Sequence, residues 1–133
     1  MTPEEYVTPP KREDRMYSSQ LLDHFEHPRN TGNLADADAR VRVENPVCGD
    51  ILELFIKVQT GRISESRFLA KGCVPAMACG SLITEMVKGK SLDEANAISK
   101  EEVVKEIGGL PSASGHAAQL AIDALKAVLH KLD

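Results

Sequence analysis

No stretch of this sequence stays apolar for anything near the ~20 residues that a membrane-spanning helix needs, so no membrane association is expected. Positive charge is not in excess either. Lys and Arg number 16 against 20 Asp and Glu, a net charge of −4, which gives no electrostatic reason to expect a nucleic-acid partner. The first residues have no apolar segment of the kind a secretory leader carries. Their acids, Glu4, Glu5, Glu13 and Asp14, are unlike a mitochondrial transit peptide. Cysteine is scarce: three residues, an odd count without secretory context, which favours thiols or metal ligands in a reducing cytoplasm over disulfides. Internal repeats are absent. What remains is a chain of 133 residues, 42% hydrophobic and 27% charged, a balance that suits one domain with an ordinary core.

Residues 1–15 are rich in proline and charge and have no apolar period, so they read as a flexible N-terminal arm ahead of a domain over residues 16–133. Tyr17, Leu21, Leu22 and Phe25 then form a helical stripe that Ser18 or Ser19 can cap and His27-Pro28 ends. Three strand-like runs follow around Val41–Val43, Leu52–Val58 and Ile63–Leu69, with a Thr60-Gly61 turn between the last two. Strands so close together predict an antiparallel meander. The rest is helical. One helix is expected over residues 75–88, with Pro75 near its start and Gly89 as its stop. Ser91 with Glu94 and Ser99 with Glu102 are capping-box pairs for two short helices. A Pro/Ser/Gly loop leads to a last helix over residues 116–132. The fold class is therefore α+β, a three-stranded antiparallel sheet with helices packed on one face.

Candidate chemistry sits at three loops. Cys48 and Asp50 are two residues apart, so in extended chain they point the same way, and Gly49 between them permits a turn or a close approach. A thiolate beside a carboxylate is half a site for a borderline metal; a small buried cysteine and a turn aspartate would look the same. Cys73 stands where the last strand gives way to a helix. The helix dipole and Lys71 should lower its pKa and favour thiolate, unless it is only a packed junction residue. His116 opens the last helix, where it is a ligand if the fold brings it to Cys48 and Cys73 and otherwise a polar cap. Cys79, among Ala76, Met77, Ala78, Gly80 and Ser81, reads as a buried structural thiol. It is a possible additional ligand only if the start of its helix unwinds.

Several of these stretches recur together in one family. Asp23-His24-Phe25, His27-Pro28-Arg29-Asn30, Cys48-Gly49-Asp50, Gly72-Cys73, the run from Val87 to Ala95, and Leu110-Pro111 through His116 resemble the IscU/NifU N-terminal iron–sulfur scaffold family, in order and with compatible gaps. The resemblance implies a site of three cysteines, an aspartate and a histidine. There a cysteine desulfurase delivers sulfur, iron is supplied, and a [2Fe–2S] cluster is built for apo-proteins; zinc occupies the same ligands in many members. Carried over, Cys48, Asp50, Cys73 and His116 match this metal or cluster site. The third cysteine does not: its position is Ala117, expected in an exposed first turn. The loop Leu110-Pro111-Ser112-Ala113-Ser114 also departs from the family's Leu-Pro-Pro-Val-Lys, so the resemblance does not extend to the Hsp70-type chaperone that reads it. No long insertion separates Cys73 from His116, unlike the zinc-dependent sulfur-acceptor branch.

The expected function is an iron–sulfur assembly scaffold or carrier, not an enzyme, since no residue set suggests turnover of a small substrate. The alternative is a family member that holds zinc in a Cys₂HisAsp site or serves only as an interaction protein.

Overall fold

The structure is a computed structural model that describes residues 17–132; the expected arm at residues 1–15 lies outside the described residues. Its elements are α1 (Ser19–Glu26), β1 (Ala39–Asn45), β2 (Asp50–Gln59), β3 (Arg62–Lys71), α2 (Val74–Val87), α3 (Leu92–Asn96), α4 (Lys100–Glu106), a 3₁₀ turn (Ser112–Ser114) and α5 (Gly115–His130). The fold is the expected α+β arrangement: an antiparallel sheet in the order β1-β2-β3, with α2 and α5 packed on one face.

Local chemistry sets most of these boundaries. Ser18 caps α1 by accepting from the Leu21 N–H. Both expected capping boxes form, Ser91 with Glu94 and Ser99 with Glu102, each satisfying two otherwise free donors and contributing about 1 kcal/mol. The β2–β3 hairpin pairs Gln59 with Arg62 across a two-residue turn. Thr60 and Gly61 both take positive φ there, 51° and 77°, the backbone of a type I′ turn that matches strand twist.

Alternation along β2 sends Asp50, Leu52, Leu54 and Ile56 to the covered face, all buried. Helix α5 lies against β1, β2 and α2, and buries Leu120, Ala121, Ala124, Leu125 and Val128. Helix α2 is packed by α1, β3 and α5. It is therefore buried nearly all round, which its small residues Ala76, Ala78, Gly80 and Ser81 permit. On the other sheet face Phe55 is still only 2% exposed, and the Arg40 guanidinium lies over its ring, 5.3 Å from the centroid. The outer edge of β3 is paired as well. Phe68 N–H donates to Asn30 O at 2.9 Å and Phe68 O accepts from Gly32 N–H at 2.9 Å, so the loop after α1 covers a strand edge.

The same loop anchors a buried polar network. His24, 7% exposed, places Nδ1 2.8 Å from Ser81 Oγ, which also accepts the Arg29 N–H at 2.9 Å. Asn30 Nδ2 donates to Thr84 Oγ1 at 3.1 Å, and Ser66 Oγ donates to Thr84 O at 2.7 Å. The network ties α1 and β3 to α2. Burial, and then the Arg29 charge, hold the His24 pKa below its ordinary 6.5, against the opposing pull of Glu85. Folded and unfolded chains are both neutral at His24 well above that value, so its contribution is whole there. It is lost as pH falls through 6.5, where the unfolded chain takes the proton first. The melting temperature should therefore drop between about pH 7.5 and about pH 5.5. His24→Gln, which keeps a polar side chain without the titration, should flatten that slope; an unchanged slope would show that the loss arises elsewhere.

Candidate metal centre

The sheet register builds the site. Pairing of Asn45 with Asp50 closes a tight β1–β2 connection through residues 46–49, held by Gly49 N–H donating to Asn45 O at 2.7 Å. Pairing of Ile51 with Lys71 lays the end of β3 beside the start of β2. The chain leaves β3 through Gly72 and Cys73, and Cys73 is the N-cap residue of α2. Helix α5 crosses the covered face and begins at the same end, bringing His116 to Asp50.

Four of the residues singled out in the sequence therefore meet at one end of the sheet. Ligand atoms of Cys48, Asp50 and His116 all lie within 4.8 Å of one another. Cys73 Sγ stands 3.4 Å from Asp50 Oδ2 and 3.7 Å from His116 Nε2, and His116 Nε2 is 3.3 Å from Asp50 Oδ2. Cys48 is exposed, Cys73 and His116 are half-buried, and Asp50 is buried. Asp50 is the common partner. Its Oδ1 accepts the Cys73 backbone N–H at 3.0 Å and its Oδ2 accepts from the Cys73 thiol.

One glycine makes that contact possible. Gly72 has φ +141°, and a Cβ there would fall 2.1 Å from Asp50 Oδ1. The sequence reading used Gly72 only as a neighbour of Cys73. Its role was signalled by its place, a glycine immediately before a cysteine where a strand hands over to a helix.

Two expectations about single residues need correction. Cys73 was expected to be a thiolate. Instead burial pushes its pKa up to about 11, and the hydrogen bond and charge of Asp50 add to the rise, while the Ala76 backbone N–H pulls the other way. Desolvation outweighs the helix end because the thiol faces a carboxylate rather than solvent. Ala117 was expected in an exposed turn but is 1% exposed, because the 3₁₀ turn presses the start of α5 onto the core. Cys79 is fully buried in a regular helix, in keeping with its reading as a structural thiol, and burial pushes its pKa up to about 12; the start of the helix is not unwound, as a role as an additional ligand would require. The structure does not bring it into the group.

The donor types fit a soft or borderline metal: Cys48, Asp50 and His116 group together, and the Cys73 sulfur stands beside Asp50 and His116, where an ion would replace the proton that Cys73 shares with Asp50. The NifU-like N terminal domain family model matches residues 16–133. The chain belongs to that family. Among similar proteins, the iron–sulfur cluster assembly scaffold protein IscU 1 of Archaeoglobus fulgidus is 46% identical over 111 residues, 84% of this chain and 72% of that protein. The scaffold protein IscU of Escherichia coli strain K12 is 45% identical over 117 residues, 85% of this chain and 91% of that one. The N-terminal part of a nitrogen-fixing NifU-like protein from Brucella abortus shares the fold at 21% identity, with a TM-score of 0.71 over 90% of this chain and 95% of its own. So does a scaffold protein for the SUF system from Fervidobacterium islandicum, described as putative, at 18% identity and a TM-score of 0.71 over 86% of this chain and 97% of its own. Among the described residues of this NifU-like domain, no helix is long and apolar enough to cross a membrane.

Gly72→Ala should collapse the group, since its Cβ would occupy the space of the Asp50 carboxylate. We expect a loss of about 2 kcal/mol or more in unfolding free energy, together with a weakened metal affinity. Denaturant melts and a competition titration with a chromophoric chelator measure the two effects. Wild-type behaviour in both would show that Asp50 does not need its present position.

Proposed function

We propose that this chain is an iron–sulfur cluster assembly scaffold or carrier. It would hold iron or a [2Fe–2S] cluster as cargo at Cys48, Asp50, Cys73 and His116. The observation that carries this reading is the meeting of those four donors at one exposed end of the sheet. Its membership of a family with relatives named as scaffolds supports the same role. Clusters in which histidine replaces cysteine are chemically sound, and each iron takes two ligands from the protein. The chain acts here as a holder and not as an enzyme. Its functional partners on this reading are a cysteine desulfurase that supplies sulfur and apo-proteins that accept the cluster.

The protein's own part is to exchange protons for metal. Cys73 carries its proton in the metal-free state, with its pKa up at about 11, and must release it on binding. Affinity should therefore rise with pH and fall in acid. The carboxylate of Asp50 accepts the Cys73 N–H throughout and so fixes the strand-to-helix junction while the thiol changes partner.

A single zinc ion is the second reading, favoured by the donor set itself: two sulfurs, one nitrogen and one oxygen satisfy tetrahedral zinc with no position left over. Anaerobic purification followed by metal analysis and visible absorption separates the two. Combined with ferrous iron, cysteine and a cysteine desulfurase, the protein should develop sulfur-to-iron charge-transfer bands. Cys73→Ala should abolish them and Cys79→Ala should not. Equal losses would move Cys79 into the site. Stoichiometric zinc, with no visible band after reconstitution, would favour the zinc reading.

A further inference from the structure

Counting sulfur leaves this site poor in thiolate. The chain has three cysteines, and Cys79 is buried in the core, which leaves Cys48 and Cys73 for a metal that prefers sulfur. Directly beside the group lies a cavity of about 390 Å³, within the range of about 300–1,000 Å³ usual for small-molecule sites. His116 lines the cavity and also belongs to the metal group, so the cavity and the group share that side chain as a common wall.

The walls carry charges of both signs. Lys100 supplies an ammonium, and among the described residues it has no hydrogen-bond or ion-pair partner. Its Nζ stands 3.9 Å from where a side chain at position 115 would begin, next in the chain to His116, and Gly115 leaves that space clear. Glu44 and Asp123 supply carboxylates, and Asn45 and Gln119 supply amides. Asp123 accepts from Gln119 Nε2 at 2.8 Å and Glu44 pairs with Arg42 at 3.4 Å, both at the protein surface. One unpaired cation beside two carboxylates suits a ligand with one carboxylate and one ammonium. Proximity to the metal calls for a thiol on the same molecule.

We propose that the cavity binds a small amino-acid thiol, either free cysteine or a cysteinyl peptide such as glutathione. On this assignment the ligand's sulfur completes the metal site in place of the thiolate absent at Ala117. The inference rests on the reading of the group as a metal centre. The thiol loses its proton to solvent as its sulfur forms a bond to the metal. It displaces the Asp50 carboxylate, the hardest of the four donors, and no electron is transferred. Asp50 keeps the Cys73 N–H as its partner. The ligand carboxylate pairs with Lys100, and its ammonium faces Glu44 and Asp123.

The test uses Co²⁺ as the metal, under anaerobic conditions, because the intensity of its sulfur-to-cobalt charge-transfer band follows the number of thiolates bound. Added cysteine or glutathione should raise that intensity about 1.5-fold, from two thiolates to three, and saturate. The lower half-saturating concentration of the two identifies the source. 2-Mercaptoethanol, a thiol without charged groups, should leave the spectrum unchanged at the same concentrations. Lys100→Glu should raise the half-saturating concentration of the charged thiol about tenfold, with Lys100→Gln between. An equal response to 2-mercaptoethanol, an unchanged half-saturation in Lys100→Glu, or extraction of cobalt by cysteine would each overturn the proposal. Absence of any charge-transfer band in the protein with Co²⁺ alone would instead remove the metal-centre reading, and this inference with it.

Discussion

The Asp50 side chain is 2% exposed, and a carboxylate so placed costs several kcal/mol in lost hydration unless its oxygens are occupied. Here they are. Oδ1 takes the Cys73 N–H, and Oδ2 faces the Cys73 thiol and the His116 ring. These contacts join the start of β2, the β3–α2 junction and the N-terminus of α5, three places far apart in the sequence. The approach of strand to junction depends on a residue without a side chain at Gly72. The geometry of every donor in the group is thus referred to one carboxylate.

That arrangement explains why the metal-free site holds its proton. Burial of the Cys73 thiol raises its pKa most and the facing Asp50 carboxylate adds to the rise, so the thiol stays protonated up to about 11. A divalent ion reverses the balance by supplying the positive charge that both groups lack. On the proposed reading, burial keeps Cys73 protonated without metal and would make loading dependent on pH. Cys48 is differently placed: it lies on an exposed turn beside Val47, which is 91% exposed, and is open to a metal or a partner from solvent. The site pairs one half-buried thiol with one exposed thiol.

Much of this was legible in the sequence, because it follows from local rules. Ser91 with Glu94 and Ser99 with Glu102 marked two helix starts, and Thr60-Gly61 marked the hairpin. Cys48, Asp50, Cys73 and His116 were each visible as loop residues with useful chemistry, and the family pattern supplied the reason to join them. What escaped depended on tertiary contacts. His24 fell on the apolar side of α1 but was not read as buried, because its partner Ser81 is 57 residues away. Phe55 alternates toward the open sheet face, where the Arg40 guanidinium of the neighbouring strand lies over its ring. The dipole argument for Cys73 was sound for an exposed helix end and failed for one facing a buried acid. Ala117 was placed by its position in the helix, whereas its burial is set by the preceding 3₁₀ turn and the core beneath it.

The central claim is that Cys48, Asp50, Cys73 and His116 together hold one metal. X-ray absorption at the zinc edge of the zinc-loaded protein, with no small thiol present, tests it most directly. The account predicts a first shell of two sulfurs at about 2.3 Å and two nitrogen or oxygen neighbours at about 2.0–2.1 Å. A shell with no sulfur, or one with a third sulfur that only Cys79 could provide, would contradict it.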